Sequence, residues 1–153
     1  MKFLDANVFL RFIARPKTPQ DMEFNRLAND LFTRAERGEE WFTTSEAVIA
    51  EVIYVLVSPD SYRFTREDAF ESVGNLLALP GCRMTEKEQV IVALDTWRHS
   101  TKLSFVDALC MTKAEQHGHE LVTFDTALAK AAGTQRWDLR STDDVTNPTV
   151  ETP

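Results

Sequence analysis

The chain has 153 residues, enough for one compact domain whose core needs no disulfide or metal staple. It is 43% hydrophobic and 27% charged, a globular balance, and no apolar run approaches the roughly 18 residues of a bilayer span. A formal net charge of −7 excludes a simple nucleic-acid-coating protein but not an enzyme that touches RNA locally and gathers carboxylates round a cation. The two cysteines, Cys82 and Cys110, have neither CxxC spacing nor a histidine cluster beside them. They read as buried thiols of a cytoplasmic protein. Asp5 and Arg11 interrupt the apolar start, and no small-residue cleavage site follows, so no signal peptide is expected.

Residues 2–4 form a short apolar run that reads as a buried strand. Residues 6–14 then read as a short helix closed by Pro16. Thr18-Pro19 opens a second helix as N-cap and N1, with Phe24, Leu27, Ala28, Leu31, Phe32 and Ala35 as its apolar face and Gly38 beyond its end. Residues 41–43 are a strand candidate. Ser45 caps a helix over 46–57 that is apolar nearly all round, the mark of a buried helix. Thr65 caps an amphipathic stretch that ends at Pro80-Gly81, and residues 82–84 suggest a third strand. A capping box at Thr85–Glu88 opens the next helix, and Ser104-x-x-Asp107 opens another that Gly118 stops. Residues 120–124 give the clearest strand pattern, followed by a helix over 126–132 and an edge strand over 135–139.

Short strands alternating with helices predict a three-layer α/β fold with a mainly parallel sheet, spanning residues 1–140. Residues 141–153 are polar and aperiodic and read as a loosely packed tail. In such sheets, ligand sites lie beyond the carboxyl ends of the strands, where Asp5 and Asp125 both fall.

Four carboxylates stand out. Asp5 and Asp125 each follow a predicted strand, and each could equally be an N-cap. Asp107 sits in the first turn of its helix, where the dipole favours a carboxylate and the capping box explains it locally. Glu51 lies inside AVIAEVIYVL with Ala47, Val48, Tyr54 and Val55 on its face. There it either pairs, coordinates a metal, or occupies a narrow exposed stripe. Asn7 and Thr123 are possible supporting polar groups, or simply a turn former and a strand residue. The order carries more than any single residue: strand–Asp, buried-helix Glu, helix-start Asp, strand–Asp. Eighteen residues separate Asp107 from Asp125, room for one helix and a return strand.

The stretches FLDANVFLR, TTSEAVIAEVIYVL, KLSFVDALCMTKAEQHG and LVTFDTAL together resemble the PIN-domain ribonucleases, and within them the VapC-type toxins. The resemblance covers residues 1 to about 140. It implies that Asp5, Glu51, Asp107 and Asp125 are the acidic quartet, with Ala6 standing where the family's Asp-Thr-Asn opening carries a hydroxyl. It further implies an endoribonuclease using Mg²⁺ or Mn²⁺, which suit all-oxygen ligands. A tRNA or ribosomal RNA substrate, a cognate antitoxin and a homodimer follow from the same resemblance. Asp5 and Asp107 are then the expected direct ligands, with Glu51 and Asp125 holding a second ion or orienting water. His99, His117 and His119 fall at helix ends and look peripheral, and Arg11, Arg15, Lys102 and Lys130 are candidates for RNA phosphate. Two rivals remain: an aspartate-dependent phosphatase of another α/β family, weakened because Asn7 stands where a second acid is usual, and a catalytically silent PIN-like binding module.

Overall fold

The computed structural model describes residues 1–139, so the tail assigned to 141–153 lies outside the described residues. The order is β1 (Lys2–Phe3), α1 (Ala6–Ile13), α2 (Pro19–Glu36), β2 (Phe42–Thr43), α3 (Glu46–Val57) and α4 (Arg66–Ala78). Then come α5 (Lys87–His99), α6 (Phe105–Gln116), α7 (Thr126–Ala131) and a 3₁₀ turn at Trp137–Leu139. The result is a mainly helical α/β fold on a short parallel sheet, consistent with the expected α/β/α class.

β1 and β2 pair in parallel, Lys2 opposite Phe42 and Phe3 opposite Thr43. A single parallel bridge joins Phe42 to Cys82, so the expected strand at 82–84 is one contact long. The Phe42 N–H donates to Gly81 O at 2.9 Å and the Arg83 N–H to Phe42 O at 2.8 Å. Strand alternation sends Leu4, Phe42, Cys82 and Met84 into the core and leaves Phe3, Trp41 and Arg83 exposed. Phe42 meets the rings of Phe9 and Phe32 at centroid distances of 6.3 and 5.5 Å, which locks α1 and α2 onto β2. Ile49, Val52 and Leu56 of α3 continue that core toward Val73, Leu77, Val90 and Leu94 of α4 and α5.

Local capping signals set most helix starts. Thr18 with Asp21, Thr65 with Asp68, and Ser104 with Asp107 form complete capping boxes, and Pro19 occupies the first turn of α2. Gly38 and Gly118 take positive φ (73° and 65°) just past α2 and α6, the left-handed geometry that favours glycine.

Several expectations are corrected. α5 has no Thr85–Glu88 box; its N-cap is Glu86, in the left-handed region at φ 56° and with no side-chain cap bond. The Glu86 carboxylate is drawn to Lys113 instead. Residues 120–124 form no strand, and 135–139 form a 3₁₀ turn rather than an edge strand. A strand needs a partner edge, and the backbone bond described for 120–124 is one from the Trp137 N–H to Thr123 O, 2.9 Å. On α2 only Ala28, Phe32 and Ala35 are buried; Phe24 and Leu27 stay exposed because α1 covers only part of that face. α3 is not buried all round: Ala47, Glu51 and Tyr54, at i, i+4 and i+7, form an exposed stripe. Cys82 is buried, and burial pushes its thiol pKa up, but Cys110 on α6 is exposed; both are free.

Candidate active site

Parallel pairing puts the carboxyl ends of β1, β2 and residues 82–84 along one edge, and the chain turns into a helix just beyond each. Asp5 stands at the first of these turns. The Leu4 N–H donates to Thr43 O at 2.9 Å, and the buried Thr44 Oγ1 donates to Leu4 O at 3.0 Å, so the residue before Asp5 is held on both sides. Asp5 is exposed and caps α1, its Oδ1 accepting from the Val8 N–H at 3.3 Å.

Asp107 is half-buried at the start of α6. Its Oδ2 accepts from the Ser104 N–H at 2.8 Å and from Ser104 Oγ at 2.7 Å, and Ser104 Oγ accepts the Asp107 N–H at 3.1 Å. Asp125 is exposed and caps α7, its Oδ1 accepting from the Leu128 N–H at 2.7 Å. Thr123 braces it, its hydroxyl oxygen accepting the Asp125 N–H at 3.0 Å. The helix-cap role considered for each aspartate is therefore present. In each, the described bonds end on one carboxylate oxygen and leave the other uncommitted.

Glu51 lies on the exposed stripe of α3 rather than in a pocket, so its apolar sequence surroundings overstated its burial. Asn7 is exposed in the first turn of α1 and helps line a 530 Å³ groove between α1 and α2, with Arg11, Phe24 and Leu27. Arg11 is spent there: it pairs with Asp21 and lies over the Phe24 ring. Arg15, Lys102 and Lys130 are exposed. His99, His117 and His119 sit at or beyond helix C-termini, the last two stacked on each other.

Sequence reasoning missed a second feature of this edge. Lys113, near the end of α6, donates to Glu46 Oε1 at 2.7 Å and Glu86 Oε2 at 2.8 Å. One ammonium thus ties the starts of α3 and α5 to α6. The hydrogen bond from Lys113 holds the Glu86 carboxyl below the usual carboxylate range, and the two acids raise the Lys113 pKa. The available signal was weak: first-turn acids and a last-turn lysine are ordinary complements to helix dipoles.

The donor set of the quartet suits a hard divalent cation, being all oxygen with three half-used aspartates. Its grouping is a separate matter: among the described residues no three acidic, histidine or cysteine side chains come together closely enough to hold a metal ion. Among them, too, no helix is long and apolar enough to cross a membrane.

These features define a mainly helical α/β chain whose parallel strand ends are edged with carboxylates. A family model for the PIN domain matches residues 2–134, and the chain belongs to the PIN-domain family, whose members are generally nucleases. No curated protein matches it at a significant level.

Proposed function

We propose that the chain is a metal-dependent endoribonuclease, the toxin of a VapC-type toxin–antitoxin pair in the cytoplasm. The observation that carries this reading is the PIN match over residues 2–134, which takes in all four carboxylates. Asp5 and Asp107 would hold a Mg²⁺ or Mn²⁺ ion through the oxygens that their capping bonds leave free. Glu51 and Asp125 would complete the site, and Asn7 and Thr123 would support it. Four carboxylates drawn into one cleft repel each other, so their approach depends on a cation. Once bound, such an ion polarises the phosphoryl oxygen and lowers the pKa of an attacking water. The substrate is a structured RNA such as tRNA or ribosomal RNA, and the protein works as a homodimer restrained by an antitoxin.

One observation favours a second reading, the silent PIN-like binding module: no three ligands are grouped among the described residues. Cleavage of total tRNA and ribosomal RNA with Mn²⁺, with Mg²⁺, and with chelator separates the two. Wild type is expected to cut only with metal, and Asp107→Asn to cut at least a hundredfold more slowly while keeping its fold. Cleavage by Asp107→Asn at the wild-type rate would refute the carboxylate assignment. Metal-independent inactivity across both RNA pools would favour the silent module.

A further inference from the structure

Between α3 and the first turn of α6 lies a cleft of 260 Å³, lined among others by Ala50, Tyr54, Arg66, Trp97, Ser104 and Val106. Two of these residues are unusual for its walls. Tyr54 is 74% exposed, the aromatic side chain of the stripe that α3 leaves uncovered. It lies three residues after Glu51, hence on the same helix face. Arg66 lies over the Trp97 ring at 4.9 Å and donates to two carbonyls, Trp97 O at 2.8 Å and Ser100 O. No carboxylate pairs with it among the described residues; its partners there are the carbonyls at the C-terminal end of α5 and the Trp97 ring. Desolvation lowers its pKa, as expected of a cation held against apolar walls without an anion.

We propose that this cleft binds one nucleotide of a single-stranded RNA, its base stacked on Tyr54 and its phosphate facing Arg66. The assignment rests on the ribonuclease reading for its substrate, and it names the contacts that would seat that substrate beside the acids. Glu51 precedes Tyr54 by less than one turn, and Asp107 directly follows Val106. A nucleotide held here would lie against Ser104, whose hydroxyl holds Asp107, and against the α3 face that carries Glu51. An exposed ring offers a π-face to any base, and an arginine without a counter-charge offers a phosphate its strongest side-chain partner. Such a contact is sequence-tolerant. It sets the position of the strand, not the choice of target.

The test is binding of a fluorescein-labelled single-stranded oligoribonucleotide of mixed sequence, measured by anisotropy in chelator so that no cleavage is required. Loss of stacking in Tyr54→Ala is expected to weaken binding about tenfold, with Tyr54→Phe and Tyr54→Trp within about twofold of wild type. Arg66→Gln, which keeps donors for the two carbonyls, is expected to flatten the log–log salt dependence by roughly 0.7, one phosphate contact on a single strand. In cleavage assays with Mn²⁺, Tyr54→Ala is expected to raise KM and leave kcat within about twofold. Tyr54→Ala binding as wild type overturns the proposal, and so does an altered oligomeric state with unchanged RNA affinity, which would make Tyr54 a protein contact. If the chain binds RNA through Tyr54 yet cuts nothing, the cleft stands and the nuclease reading falls.

Discussion

Gly81 gives the sharpest test of how the sheet edge is held. It joins the end of α4 to residues 82–84, and its backbone serves two neighbours: its N–H donates to Ala35 O at 3.0 Å, and its carbonyl accepts from Phe42 N at 2.9 Å. A Cβ built there would lie 2.3 Å from Glu40 O and 2.9 Å from both Ala35 Cα and Ala35 Cβ. Two of those atoms are backbone, so no rotamer change relieves the clash. The turn at residue 81 must move away from Ala35 of α2 and from Glu40, and its bonds to Ala35 O and Phe42 N stretch with it. Overpacking of this kind costs about 1–3 kcal/mol, occasionally more. For a domain of this size that is a fall in melting temperature of roughly 3–10 °C. The control is Gly74→Ala in the interior of α4, where nothing lies within 4 Å of the new Cβ. It should raise stability by about 0.5–1 kcal/mol through helix propensity alone. Thermal melts of both variants by far-ultraviolet circular dichroism decide the matter. A Gly81→Ala protein melting with or above wild type would refute the close-approach argument.

Thr44→Val keeps the shape of a buried side chain but deletes the bond to Leu4 O, so it should cost about 1–2 kcal/mol by urea titration, whereas Thr44→Ser, which keeps the hydroxyl, should cost less. The Lys113 bridge predicts a pH dependence: Glu86 has a depressed pKa, so its contribution is present above the ordinary carboxylate value of 4.5 and is lost as pH falls through the lowered folded value. Lys113→Met should therefore melt below wild type at neutral pH, with the gap closing in acid and shrinking at high salt. Equal gaps at neutral and acid pH would argue that Lys113 acts through packing alone.

Features set by a few adjacent residues were legible in the sequence. The caps at Thr18 and Thr65, the box at Ser104 and the glycine stops at 38 and 118 follow from bonds between neighbours a turn apart. Thr85–Glu88 has the same spacing and fails: Glu86 takes the left-handed region and its carboxylate bonds Lys113, an interaction across 27 residues. The pattern of residues 120–124 describes which side chains suit a pleated surface; it carries no information about an available edge. Glu51 misled in the same way. Its neighbours in sequence are apolar, but those sharing its face, Ala47 and Tyr54, look outward. Within the candidate site, the local role of each aspartate was readable, while its distance from the others depends on contacts between helices that no short stretch encodes.

Cap and metal ligand are not competing roles for these aspartates, because capping uses one oxygen and a ligand needs one more. The two roles differ in what they require. A cap needs an acceptor, which asparagine also supplies; a cation site needs the negative charge, which asparagine lacks. At Asp5, Asn should therefore preserve the unfolding free energy within about 0.5 kcal/mol and weaken Mn²⁺ binding by calorimetry, whereas Ala should lose about 1 kcal/mol of capping energy as well. Asp125 should behave the same way at α7. If Asn and Ala weaken Mn²⁺ binding only in proportion to the stability they remove, the aspartates are caps and nothing more. If Asn abolishes binding in a fully stable protein, the same side chains that start the helices also hold the ion.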